Sequence, residues 1–228
     1  MAFILSLETA TTMCSVALGK DGKVIAFKER NEGFTHSENL TLFIQEVLAD
    51  AKVELKQLDA IAVSKGPGSY TGLRIGVSTA KGLCYGLERP LISISTLYSM
   101  FNEMKRQTTN DKPQTLFCPM LDARRMEVYC AVYDMQGNVV KEISADIINE
   151  NSFAELLNEN KIIFFGDGAA KCKEAMSYHD HAIFVDNIFP SAKAMVTLAE
   201  EKFSKKDFED VAYFEPFYLK DFVGTTKK

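Results

Sequence analysis

The segment SKGPGSYTGLRIGVSTAKG, Ser64 to Gly82, holds the residues best suited to binding chemistry. A strand ends, a glycine loop turns and a helix begins. Free backbone N–H groups at such a helix start attract anions, phosphate among them. The spacing departs from both common phosphate fingerprints. Gly66, Gly68 and Gly72 give GxGxxxG, one residue too long for a dinucleotide loop, and no GxxxxGKS/T is present. Pro67 removes one further donor. A phosphate loop and a tight structural turn both stay open from these residues. Glu8-Thr9-Ala10-Thr11-Thr12 sets a carboxylate beside hydroxyls in the first turn between strands. It suits either a metal–nucleotide or ordinary turn hydrogen bonding.

The helix behind the glycine loop carries Gly72, Gly76 and Ala80 at i, i+4 and i+8, with Ser69 and Thr79 nearby. Glycine inside a helix costs about 1 kcal/mol against alanine. Two on one stripe imply that another backbone comes close, either the protein's own sheet or a helix across a protein interface. The apolar stripe of the preceding helix would supply the rest of such a surface.

Catalytic groupings are scarce. His36 lies at the first turn of a helix, and His179 and His181 form HDH with no third metal ligand fixed by spacing. Asp122-Ala123-Arg124-Arg125 with Glu127 is a charged hairpin turn, able to contact phosphate or a partner carboxylate, or simply to be solvated. No GxSxG elbow or HExxH helix exists. Cys14, Cys84, Cys118, Cys130 and Cys172 are an odd set without CxxC, which reads as buried thiols in a reducing compartment.

With 46% hydrophobic and 25% charged residues among 228, the chain is a folded protein, neither disordered nor a disulfide scaffold. A net charge of −5 lacks the electrostatic footprint of a stand-alone nucleic-acid binder. No uncharged stretch approaches the roughly 18 apolar residues of a membrane helix. MAFILSLETATT has no basic region before its apolar run, so it reads as a strand rather than a signal peptide, and the expected location is the cytoplasm, away from membranes.

The elements that position these residues follow from periodicity and turn chemistry. Strands are expected at Phe3 to Leu7, Cys14 to Leu18 and Val24 to Lys28, with a turn at Lys20-Asp21-Gly22-Lys23. A helix then starts in a capping box of Thr35 and Glu38 and buries Leu40, Phe43, Ile44, Val47, Leu48 and Ala51. Strands at Leu58 to Ser64 and Pro90 to Ser95 flank the glycine helix, which ends near Leu87, and Thr96 to Lys105 is a third helix. Arg106 to Lys112 is a polar candidate linker, which divides the chain into lobes 1–108 and 109–228. Thr115 to Leu121 and Met126 to Tyr133 form a hairpin, and Gln136-Gly137-Asn138 is the next turn. Ser152 to Asn158 is a helix, Ile162 to Phe165 a strand closed by Gly166-Asp167-Gly168, and Ala182 to Val185 another strand. Ser191 caps a last helix to Phe203, and the apolar tail from Val211 packs on the body. The residues show no internal repeat. The pattern predicts two α/β lobes.

ILSLETATTMCSVAL, THSENL, KGPGSYTGLRIGVSTAKGL, LDARRMEVY, GDGA and PFYLKD together resemble the TsaB (YeaZ) family. Its members are the dimerisation subunit of the bacterial complex that makes threonylcarbamoyladenosine in tRNA. The resemblance runs from Phe3 to Asp221 and implies a two-lobed actin-like ATPase (ASKHA) fold, each lobe a mixed sheet with flanking helices, shared with the catalytic subunit TsaD. That relative follows its glycine helix with a strand and then HxxxH, a metal-binding pair. The matching positions here are Thr96 and Met100, neither of which replaces an imidazole at a divalent metal.

The resemblance therefore implies a non-catalytic partner of a TsaD-like transferase. Its interface would use Leu40, Phe43, Ile44 and Val47 of one helix with Gly72, Ile75, Gly76, Thr79 and Ala80 of the next. The same surface would close a homodimer when the partner is absent. A TsaE-like ATPase is the implied third subunit, and tRNA is met only through the complex. No cofactor is expected in the isolated chain; ATP or ADP and metal belong to the partner subunits. Two other readings use the same fold. One is a metallopeptidase-like (glycoprotease family) enzyme, which needs metal ligands the sequence does not supply. The other is an independent ATP-binding enzyme, whose cleft Glu8, Thr9, Gly66, Gly68, Gly166 and Gly168 would line.

Overall fold

Apolar residues on both faces of the first strand require cover on both sides, and this sets the architecture. The computed structural model describes residues 2–33, 35–108, 114–176 and 179–220. Strands β1 (Phe3–Glu8), β2 (Met13–Lys20) and β3 (Lys23–Asn31) form an antiparallel meander. Its second turn is tight because Asp21 and Gly22 both take positive φ, 50° and 72°. Helix α1 (His36–Ala51), a short 3-10 turn at Leu55–Gln57, β4 (Ala60–Gly66), α2 (Tyr70–Leu87), β5 (Leu91–Ser95) and α3 (Thr96–Gln107) follow. β4 and β5 add in parallel, giving the order β3-β2-β1-β4-β5. Leu5 and Leu7 point to the core under α1 and α2, while Ile4 points to the opposite face.

The second half repeats this path. β6 (Thr115–Asp122), β7 (Glu127–Tyr133), β8 (Val139–Ile147), α4 (Ala154–Glu159), β9 (Lys161–Phe165), α5 (Ala169–Met176), β10 (Ala182–Val185) and α6 (Ala192–Ser204) give the sheet β10-β9-β6-β7-β8. Each half is thus three antiparallel strands, then helix–strand–helix–strand–helix, with the fourth and fifth strands parallel to the first. The topology repeats although the residues do not.

The last helix of each half crosses to the other half. Leu97, Met100, Phe101 and Met104 of α3 pack on Phe117, Leu121, Ala131 and Tyr133 of the second sheet. Met195 and Ala199 of α6 pack on Ile4, Ala60, Ala62, Ile92 and Ile94 of the first. Gly19 on β2 makes room for α6: a Cβ there would lie 2.6 Å from Val196. Met195 is fully buried, and burying such a side chain is worth roughly 1.5–3 kcal/mol.

Several expectations need correction. Thr35 does not build a capping box. Its φ of −100° and ψ of 21° turn the side chain away, and its hydroxyl accepts from Asn39 Nδ2 at 2.7 Å instead. The reciprocal box lies at Glu54 and Gln57. Ser191 caps α6 as expected, accepting from the Lys193 N–H at 3.3 Å. β8 and α5 are additional to the expected elements. The first is a half-exposed edge strand and the second has eight residues, so neither carries a strong periodic signal. Arg106 and Gln107 continue α3, while residues 109–112 of the expected linker and Asp221 lie outside the described residues.

Candidate functional site

Two β-hairpin turns and the start of α2 face each other across a cleft of about 630 Å³. Its walls are residues 10–12 of the β1–β2 turn, 68–71 of the glycine loop, 121–124 of the β6–β7 turn, Asp167 and tail residues 217–220. The sheets aim their strand ends at this point, where open α/β folds place ligands.

Of the six predicted cleft residues, only Gly68 lines it. Glu8 is fully buried behind the turn. One carboxylate oxygen accepts from the Ala10 N–H at 2.7 Å and the Ser64 hydroxyl at 2.8 Å. The other has no hydrogen-bond partner among the described residues. Burial pushes the Glu8 carboxyl up to about 7, and those hydrogen bonds only partly oppose it. The Thr9 hydroxyl donates to the Gly72 carbonyl at 2.8 Å. At Gly66 (φ +107°) a Cβ would come 2.8 Å from the Phe217 carbonyl oxygen, and at Gly168 2.7 Å from the Leu121 carbonyl carbon. A Cβ at Gly68 would strike the Ala10 carbonyl oxygen, and one at Gly166 the Met120 carbonyl oxygen. These glycines let the chain's own turns meet, which is the tight-turn alternative rather than a phosphate cradle.

The small-residue stripe of α2 has the same explanation. A Cβ at Gly72 would strike the Thr9 carbonyl oxygen and one at Gly76 the Thr9 hydroxyl, and Ala80 is fully buried. Leu40, Phe43, Ile44 and Val47 likewise face the protein's own core. The predicted interface is corrected accordingly, because buried side chains cannot touch a partner. Ile75 and Thr79 are half-buried at its border. The outward face carries different residues. Gly82 and Gly86 have nothing within 4 Å of a built Cβ among the described residues. Arg74, Ser78 and Tyr85 are exposed beside them. On α1, Leu42 is 46% exposed. The Gly82–Gly86 spacing was available as a signal: ten residues beyond Gly72, it falls on a different side of the helix.

His36 ties the two helices to the cleft turn. Its Nε2 lies 2.7 Å from the Thr11 carbonyl oxygen, and burial holds its pKa below the ordinary value. Opposite, the Asp122 N–H donates to Asp167 at 3.2 Å, and the Asp122 carboxylate takes the Lys171 ammonium. Burial, reinforced by the charge of Asp122, pushes the Asp167 carboxyl up to about 6 against its backbone hydrogen bonds. Arg124 reaches the cleft, and Arg124 and Arg125 both take positive φ, 73° and 47°. Such backbone is costly for side chains of this size.

The remaining candidates are structural. His181 Nδ1 lies 2.8 Å from the Leu157 carbonyl oxygen. The five thiols are buried and unpaired, and burial pushes Cys84 up to about 12. Thr96 and Met100 are buried where α3 meets the second half. Among the described residues, no three His, Cys, Asp or Glu side chains gather in a metal-binding group.

Comparison with known proteins fits this architecture. Residues 33–227 match the family described as TsaD: tRNA N6-adenosine threonylcarbamoyltransferase. The tRNA threonylcarbamoyladenosine biosynthesis protein TsaB of Escherichia coli is 30% identical, over 98% of this chain and 97% of that protein. YeaZ from Pseudomonas aeruginosa superposes with a TM-score of 0.77 at 25% identity, over 96% of this chain and all of that one. A component of the (R)-2-hydroxyglutaryl-CoA dehydratase of Acidaminococcus fermentans has a TM-score of 0.53 at 10% identity, over 91% of this chain, which shows a shared actin-like ATPase (ASKHA) fold and nothing more. Identity of 30% over nearly the full length of TsaB, on that fold, means that this chain belongs to the TsaB family of tRNA threonylcarbamoyladenosine biosynthesis proteins.

Proposed function

We propose that this chain is a non-catalytic subunit that binds and supports a TsaD-like transferase, docking through the outward face of α1 and α2. The observation that carries the reading is the pair Gly82 and Gly86. Each lies in α2 with open space where a Cβ would be, and Leu42 of α1 is also exposed. A helical glycine costs about 1 kcal/mol against alanine, and no contact within the described chain requires either one. Close approach of a partner helix would supply the reason. The partner then transfers a threonylcarbamoyl group from its adenylate to N6 of adenosine in tRNA.

In this reading ATP or ADP and the metal sit in the partner subunits, including a TsaE-like ATPase, and tRNA is met through the complex. The net charge of −5 suits a subunit that leaves most of the RNA contact to others. The same face closes a homodimer when the partner is absent. The reaction places the complex in the cytoplasm; among the described residues no helix is long and apolar enough to cross a membrane.

Leu42→Asp and Gly82→Arg test the face directly. Both sites point outward, so unfolding temperatures stay close to the parent's, while affinity for the TsaD-like subunit falls at least about tenfold. A titration showing unchanged affinity in both variants contradicts the assignment.

A further inference from the structure

We propose that the C-terminal segment 211–220 is a strap that holds the two halves closed across the cleft and occupies the space a cleft ligand would need. The inference rests on the path of the tail and not on the partner reading. Beyond α6 the chain runs along the free edge of the first sheet, where the Glu209 N–H donates to the Leu91 carbonyl at 2.9 Å. Lys81 on α2 then grips it, with its ammonium on the carbonyls of Ala212 at 3.1 Å and Phe214 at 3.0 Å. Val211 and Phe214 pack against the core beneath. The Phe217 N–H donates to the Lys65 carbonyl at 2.7 Å, and its own carbonyl rests on Gly66. The Tyr218 ring lies 4.9 Å from that of Tyr70 at the start of α2.

Up to this point every anchor belongs to the first half. Among the described residues Lys220 makes the crossing, placing its ammonium on the Glu127 carboxylate and 5.9 Å from the centre of the Tyr129 ring. Among the described residues the strap therefore has a firm end, fixed by backbone hydrogen bonds and half-buried side chains, and a weak end, fixed by one partly exposed ion pair. Exposed pairs are screened by salt and individually weak. Meanwhile residues 217–220 form one wall of the cleft, facing Arg124 and Asp167. A ligand entering from that side must displace them. Release at Lys220 is the low-cost step, with α3 and α6 left as the pivot between the halves.

Spin-label distances across the cleft read this directly. All five native cysteines are buried, so labels go to Ser37→Cys in the first half and Glu155→Cys in the second, both exposed positions. Spin dilution with unlabelled protein restricts the signal to distances within one chain. The parent should give one narrow distance. Tyr218→Ala with Lys220→Ala should raise the longer-distance population about tenfold, the effect expected for losing a charge-assisted contact and a ring pair. Lys220→Ala alone, on an exposed side chain, should shift it in the same direction without threatening the fold, as should added salt in the parent. Tyr213→Ala, on the same tail but pointing to solvent, should leave the distances unchanged. The proposal is overturned if the double variant matches the parent, if Tyr213→Ala opens the cleft as much as the double variant does, or if the parent is already mostly open.

Discussion

Gly72 and Gly82 sit on the same helix and make opposite predictions. A Cβ at Gly72 meets the Thr9 carbonyl oxygen, which is backbone and cannot step aside, whereas one at Gly82 meets nothing among the described residues. Gly72→Ala should therefore cost about 2 kcal/mol or more through forced backbone movement. Gly82→Ala should gain about 0.5–1 kcal/mol from helix propensity and a less flexible unfolded chain. Urea unfolding of the two variants checks both signs. Glu8 makes a prediction in pH. Its carboxyl is raised to about 7 from an ordinary 4.5, so the folded state holds the proton more tightly than the unfolded state. The associated stability is complete below about pH 4.5 and is lost as pH rises through 7, a change of order 3 kcal/mol. Glu8→Gln keeps an oxygen to accept from Ala10 and Ser64 and carries no charge. The gap in unfolding temperature between variant and parent should be small at pH 5 and widen to a plateau above pH 8; parallel curves would refute the assignment. His36, whose pKa is lowered by burial, weakens both proteins alike as pH falls below about 6.5. At this scale the sequence showed that something comes close to Gly72 and Gly76. It did not show what, because periodicity marks a face and not its neighbour.

The helices and strands differ in how legible they were for a physical reason. β1 and β4 read clearly, since both faces are buried and each is mostly apolar, FILSLE and AIAVSKG. β8 sits at a sheet edge with mixed exposure, so its VVKEISADI carries little alternation. The bounds of α1 and α2 are legible, but the face the sequence offers as a partner surface is the one that packs on the core. The apolar stripe is the stronger signal, and it marks the inside. The crossing of α6 onto the first sheet could not be read at all, because an amphipathic helix records that it packs and not on which sheet. Met195→Ala measures that crossing. It should cost about 2–5 kcal/mol, and hydrogen exchange should quicken first in β1 and β4, which α6 covers, and not in β6 and β9. The reverse order would mean that α6 stabilises its own half.

At the scale of the whole molecule, two halves of one topology exchange their last helices and meet at a cleft whose glycines serve the chain's own turns. An actin-like frame is kept, and Thr96 and Met100 are buried where α3 meets the second half. The open small-residue face of α2 then carries the function we propose: to support an enzyme rather than to be one. The most direct test is a threonylcarbamoyl-transfer assay with tRNA, comparing the TsaD-like and TsaE-like subunits with and without this chain. No product is expected from this chain alone, strong transfer only when it joins the others, and loss of that stimulation in Gly82→Arg with the fold intact. Transfer by this chain alone, or stimulation unchanged by Gly82→Arg and Leu42→Asp together, would contradict it.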